Sequence, residues 1–316
     1  MLEDRPPAVT TEPRRPFWLY PNLLSLDAPL VAVAWLAIFA KTWRVSYHPW
    51  EAYAVLGLVV WVIYIVDRLI DASLRNNDPK RCEPRHLFHW KHRKAFAAAA
   101  TVAGVAAVGL AIRYMPMTIF GYLLLAGLMV GGFFGLSLLH GQEPNEIPYG
   151  KNILAGLAFA FGTGLAAYVY LPSGAQNVFQ QTFEIVGKMV FSRELISFAV
   201  LCMLNISAID LWEHAHRSSD VDTKAADELA LTLPLTLLGG AAIVFALQAN
   251  PHPEDSMDYG VVTRAFFYAI LTGAALLYIL NRSRNRFELS SLRVLADVAL
   301  LVPVLVFFVF TAFPVR

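Results

Sequence analysis

Nine apolar runs, each near the length that crosses a bilayer, follow one another along this chain and constrain it more than any other feature. A spanning helix needs about 20 mostly apolar residues, because lipid offers its backbone N–H and C=O groups no outside partner. The runs fall at roughly residues 23–40, 52–70, 95–112, 119–139, 153–171, 195–212, 229–247, 261–280 and 292–313. Of the 316 residues 57% are hydrophobic and 16% are charged. A soluble domain of that size needs more polar surface to cover its core. The expected fold class is all-α, a polytopic bundle of nine transmembrane helices over residues 21–316.

Residues 1–20 are rich in proline and charge and hold no apolar core, so they are expected to form a disordered tail and not a cleaved leader. The two cysteines, Cys82 and Cys202, fall in a loop and a helix and suggest neither a disulfide framework nor a zinc site. The formal net charge of +1 points to no nucleic-acid partner. The placement of charge says more. With the N-terminus in the cytoplasm, the inner segments carry 18 of the 25 Lys and Arg residues, eight of them between Arg68 and Lys94. That asymmetry predicts an inner-membrane protein of bacterial type with its C-terminus outside.

Acids near membrane depth are expensive and read first as functional. Asp67 and Asp71 are four residues apart and share one helix face, at the end of the second run. Two carboxylates one turn apart repel unless a cation sits between them, and Mg²⁺ suits one or two carboxylates plus phosphate oxygens. A solvated helix end with Arg68 and Arg75 as counter-charges is the plainer alternative. The sixth run closes in the same way with Asn205, Asp210 and Glu213, the last two one turn apart. Lys151 opens the fifth run, followed by Asn152 and Gly156, and is able to meet a phosphate oxygen as a point charge. Between Arg85 and Lys94 lie four basic residues, Arg93 among them, and the histidines His86, His89 and His92. They suit an anionic substrate, anionic lipid or, as a minor option, a metal. Asp297, one turn from Arg293, reads as half of an internal ion pair.

Taken together, these residues resemble the UbiA superfamily of intramembrane prenyltransferases over roughly residues 20–315. That family has nine helices, with one aspartate-rich motif ending the second and another ending the sixth. Asp67 and Asp71 match the aspartates of the first motif, N-x-x-x-D-x-x-x-D, with Ile63 at the asparagine position. Asp210 and Glu213 stand in the region of the second, and Lys151 resembles the lysine that begins the fifth helix. The resemblance implies Mg²⁺ as cofactor, with Asp67, Asp71, Asp210 and Glu213 as its catalytic ligands. It implies a prenyl diphosphate touched by Tyr64, Arg68, Lys151, Arg93 and Asn205. It implies transfer of the polyprenyl group to an aromatic or other lipid-soluble acceptor. A non-catalytic or terpene-cyclase-like lipid-binding member of the same fold is the alternative. A secondary transporter is disfavoured, because the acids sit at helix ends and not at broken mid-membrane helices.

The topology is testable directly. Reporter fusions after residues 85 and 220 should score cytoplasmic and a fusion at 252 should score outside; a swapped result at either end would remove the nine-helix arrangement.

Overall fold

The computed structural model describes residues 17–75, 84–140, 147–172, 180, 187–249 and 257–313. The expected tail at residues 1–20, up to residue 16, lies outside them, as does most of the outer segment 172–194. Among the described residues every regular element is helical and no strand occurs. A short helical piece, Phe17–Leu23, leads at a 79° bend into α1, Asp27–Thr42. Then follow α2 (Trp50–Arg75), α3 (Pro84–Lys91), α4 (Arg93–Tyr114), α5 (Leu123–His140) and α6 (Tyr149–Tyr168). The last four are α7 (Arg193–Arg217), α8 (Val221–Gln248), α9 (Met257–Ser283) and α10 (Leu289–Ala312).

Among the described residues six helices are long and apolar enough to cross a membrane unaided, or seven if the bent pair is one span; Leu124–Leu138 is a shorter apolar helix. Their outward faces are those of a protein solvated by lipid. Val105 and Ile112 on α4, Leu233 and Leu237 on α8 and Leu305 on α10 are all exposed. A water-soluble bundle would bury such a set against a neighbour.

The bundle is held at its centre by aromatic rings. Trp35 of α1 stacks on Phe198 of α7 at 4.3 Å between centroids and meets the Phe266 ring of α9 edge-on at 5.9 Å. Phe39, one turn on, meets the same two rings at 5.4 and 5.5 Å. The buried Trp35 indole Nε1 donates to the Leu300 carbonyl of α10 at 2.8 Å. A carbonyl oxygen has two lone pairs, so it can take this bond beside the one within its own helix. One aromatic pair thus ties four helices together.

Close approach elsewhere depends on small residues, as is usual in lipid. At Gly156 on α6, an added Cβ would stand 2.7 Å from the Met203 backbone nitrogen of α7. Side-chain caps form at the start of α7, from Ser192, and at the start of α8. Asp220 caps α8, accepting from the Thr223 hydroxyl at 2.6 Å and from the Thr223 and Asp222 amides. These hydrogen bonds, the Thr223 hydroxyl foremost, hold the Asp220 carboxyl below the usual carboxylate range.

Because the backbone of Met203 cannot yield as a flexible side chain would, Gly156→Ala should push α6 from α7 at a cost of about 1–3 kcal/mol. Thermal unfolding in detergent should show it; an unchanged midpoint would mean the two helices slide apart freely.

Candidate functional site

The cavity forms where helix directions alternate. The helices α1, α6 and α10 begin at the face where α2 and α7 end, so their polar termini lie at similar depth. A cavity of about 350 Å³ opens among these ends. Asp67, Asp71, Tyr64 and Arg68 of α2, Lys151 of α6, and Asn205, Asp210 and Glu213 of α7 all line it. Below them the wall is apolar, with Leu56, Val60, Phe159 and Leu165. Ile63 belongs to that lining as well.

Each polar group has a specific setting. Lys151 Nζ stands 3.4 Å from Asp67 Oδ1, with the Phe133 ring 5.1 Å away on its other side. Asn152, almost fully buried, donates from Nδ2 to Asp210 Oδ2 at 2.8 Å. Glu213 is the most tightly held acid. The Arg293 Nε donates to its Oε1 at 3.1 Å, reinforced by Nη2, and Arg217 donates to its Oε2 at 2.9 Å. Both carboxylate oxygens therefore face guanidinium groups. Asn205 is 5% exposed, and its Oδ1 accepts no hydrogen bond among the described residues.

Arg93 is not brought to this cavity's wall. It opens α4, where its guanidinium lies 4.3 Å from the Trp90 ring centre and donates to the Trp90 carbonyl at 3.1 Å. His89 and His92 of the neighbouring segment serve packing. His89 is buried and stacks on Phe96 at 4.8 Å, and His92 Nδ1 lies 2.9 Å from the Phe88 carbonyl. Residues 76–83, which lead into that segment, lie outside the described residues.

Four cavity groups escaped the sequence reading or were read otherwise. Asn22 and Asp27 flank the bend before α1. They drew no attention because each stands alone, without a partner at helical spacing. Arg293 and Asp297, read as a pair within one helix, have partners on other elements. Arg293 reaches Glu213, and Asp297 hydrogen-bonds with Asp27 and Asn22. Spacing reports which side chains share a helix face, but not what the next helix presents to that face.

Among the described residues no three His, Cys, Asp or Glu side chains converge to hold a metal by themselves. Mg²⁺ makes no such demand, since it keeps waters and uses one or two carboxylates with ligand phosphates. Asp67 and Asp71, a turn apart on the cavity wall, fit that role. The cavity charge fits it too. Six carboxyl groups line the wall against Arg68, Lys151 and Arg293, a formal excess of three negative charges. A polyanion entering alone meets net repulsion; entering with divalent cations it does not. No family model, no curated protein and no solved structure matches the chain.

The Glu213 clamp is structural in the first instance, and its removal should register as lost stability. Arg293→Met takes one of two guanidinium partners from a buried carboxylate and should cost about 3 kcal/mol. The double change Arg293→Met, Glu213→Leu should recover most of it in chemical unfolding. Equal stability of wild type and the single variant would show the ion pair to be idle.

Proposed function

We propose that this chain is a Mg²⁺-dependent intramembrane prenyltransferase. It transfers a polyprenyl group from a prenyl diphosphate to an aromatic or other lipid-soluble acceptor. The reading takes all nine helical runs as spans, in a bacterial inner membrane, with the N-terminus cytoplasmic and the C-terminus outside. Its main support is that two acidic helix ends and Lys151 line one cavity whose deeper wall is apolar. An amphiphile with an anionic head and a hydrocarbon tail needs that division of polar rim and apolar floor.

In this reading Asp67 and Asp71 hold Mg²⁺, which when bound neutralises diphosphate charge as the allylic C–O bond breaks. The bond's electron pair leaves with the diphosphate. Lys151 stays within reach of the same oxygens, and Arg68 adds a second cation. The acceptor's new bond to the allylic carbon releases one proton. Asp210, positioned by Asn152, faces the site from α7. The expected metal role of Glu213 is the least favoured, because Arg293 and Arg217 already occupy its oxygens.

That same clamp favours a second reading, a non-catalytic or terpene-cyclase-like lipid-binding member of the fold. With Ile63 on the cavity wall and Glu213 neutralised, the cavity holds fewer ligands for a second metal.

Purified protein given Mg²⁺ and prenyl diphosphates of several chain lengths should release diphosphate. Asp67→Ala and Asp71→Ala should each lower the rate by at least about tenfold. Equal rates in wild type and both variants would eliminate the prenyltransferase reading and leave the lipid-binding one.

A further inference from the structure

The bend before α1 carries a second polar group to the same cavity. Ser25 adopts the left-handed region at φ 54°, and the Trp61 indole of α2 donates to the Leu24 carbonyl at 2.9 Å. With the chain turned and held in this way, Asn22 and Asp27 both reach the cavity wall. Asn22 Nδ2 donates to Asp27 Oδ2 at 2.6 Å, and the Ala28 amide donates to Oδ1 at 3.0 Å. Asp297, from the opposite end of the sequence, hydrogen-bonds with Asp27 and Asn22. Asp27 and Asp297 thus bring two carboxyl groups to one stretch of the cavity wall. Arg68 is the cation that faces both.

This part of the wall is rich in acceptor oxygens, two carboxyl groups beside one guanidinium. Asn205 points the same way independently. It lines the cavity, is 5% exposed, and its Oδ1 has no donor among the described residues. Counted back from Glu213, it lies about two helical turns deeper, toward the apolar floor. A buried acceptor is costly until something donates to it. A carboxylate or diphosphate has no hydrogen to give, whereas a hydroxyl group does.

We propose that Asp27, Asp297 and Asn205 form a subsite selecting a neutral, hydroxyl-bearing aromatic ligand of phenol or quinol type over an aromatic carboxylate. That this ligand is the prenyl acceptor rests on the prenyltransferase reading; the selectivity does not. The hydroxyl donates to one of these oxygens, and the ring lies against the apolar floor. A carboxylate in its place brings a further negative charge to the carboxyl pair and leaves Asn205 without a donor.

Calorimetric titration of the full chain in lipid nanodiscs tests this without prenyl donor or Mg²⁺, with empty nanodiscs as the partition reference. The probes are 1-naphthol and 1-naphthoate, which share a ring system and differ in the polar group. Naphthol should bind at least about tenfold tighter; Asn205→Leu or Asp297→Leu, whichever removes the oxygen the hydroxyl uses, should weaken naphthol by about tenfold, and neither should weaken naphthoate. Naphthoate binding as tightly as naphthol, no naphthol binding, or variants of wild-type affinity would each overturn the proposal. Should both variants fail to fold, the wild-type comparison decides alone. Diphosphate release, assayed separately, fails or succeeds independently of this selectivity.

Discussion

A charge surrounded by hydrocarbon must find a partner or stay out. Desolvating an ion costs several kcal/mol even after the protein relaxes, so the side chains that carry charge into a bundle end up facing one another. In this chain that constraint gathers polar residues from six elements at one end of the bundle. The rings of Trp35, Phe39, Phe198 and Phe266 supply the rigid packing against which the gathering happens. The cavity is the space left where polar ends cannot pack as tightly as those rings do.

Within the cavity the charges are distributed unevenly. On α7, Glu213 is matched by two arginines and behaves as a closed unit. On α2, Asp67 meets Lys151 at 3.4 Å, a longer and weaker contact, with Asp71 one turn away. Two carboxyl groups on one helix face are where a divalent cation gains most. Lys151 bridges the two regimes: it neighbours Asp67, while the adjacent Asn152 holds Asp210.

The helical class and most helix positions were legible in the sequence because apolar length is a one-dimensional signal. Membrane spans are read from single windows, and no contact between distant residues is needed to see them. The α2 acids and Lys151 were legible for a related reason: each breaks a strongly apolar pattern at a helix end. What was not legible is everything that depends on which helix faces which. Asp297 looked like the partner of Arg293 because the two are a turn apart, yet each hydrogen-bonds across to another element. Arg93, inside a basic run, looked like a substrate contact, but the helix start at His92 carries its guanidinium to Trp90. The sharp turn at Ser25 left no turn signature in the sequence, and without it Asn22 and Asp27 stay invisible as a pair.

The departures from a regular pair of acidic motifs have a common physical consequence. A symmetric site would place metal-binding carboxylates on both α2 and α7. Here an arginine from α10 closes the α7 side, while Asp297, one turn further along α10, opens a hydrogen-bonding wall with the N-terminal bend. The last helix thus acts on the cavity twice, by occupying an oxygen of Glu213 and by bringing Asp297 to the corner with the N-terminal bend. The result is a cavity with three distinct walls. The α2 face suits cations, the α7–α10 face is neutralised, and the α1–α10 corner accepts hydrogen bonds. On the prenyltransferase reading, such an arrangement separates an anionic head with its metal from a hydroxyl-bearing second ligand, and so gives two dissimilar molecules reason to lie side by side.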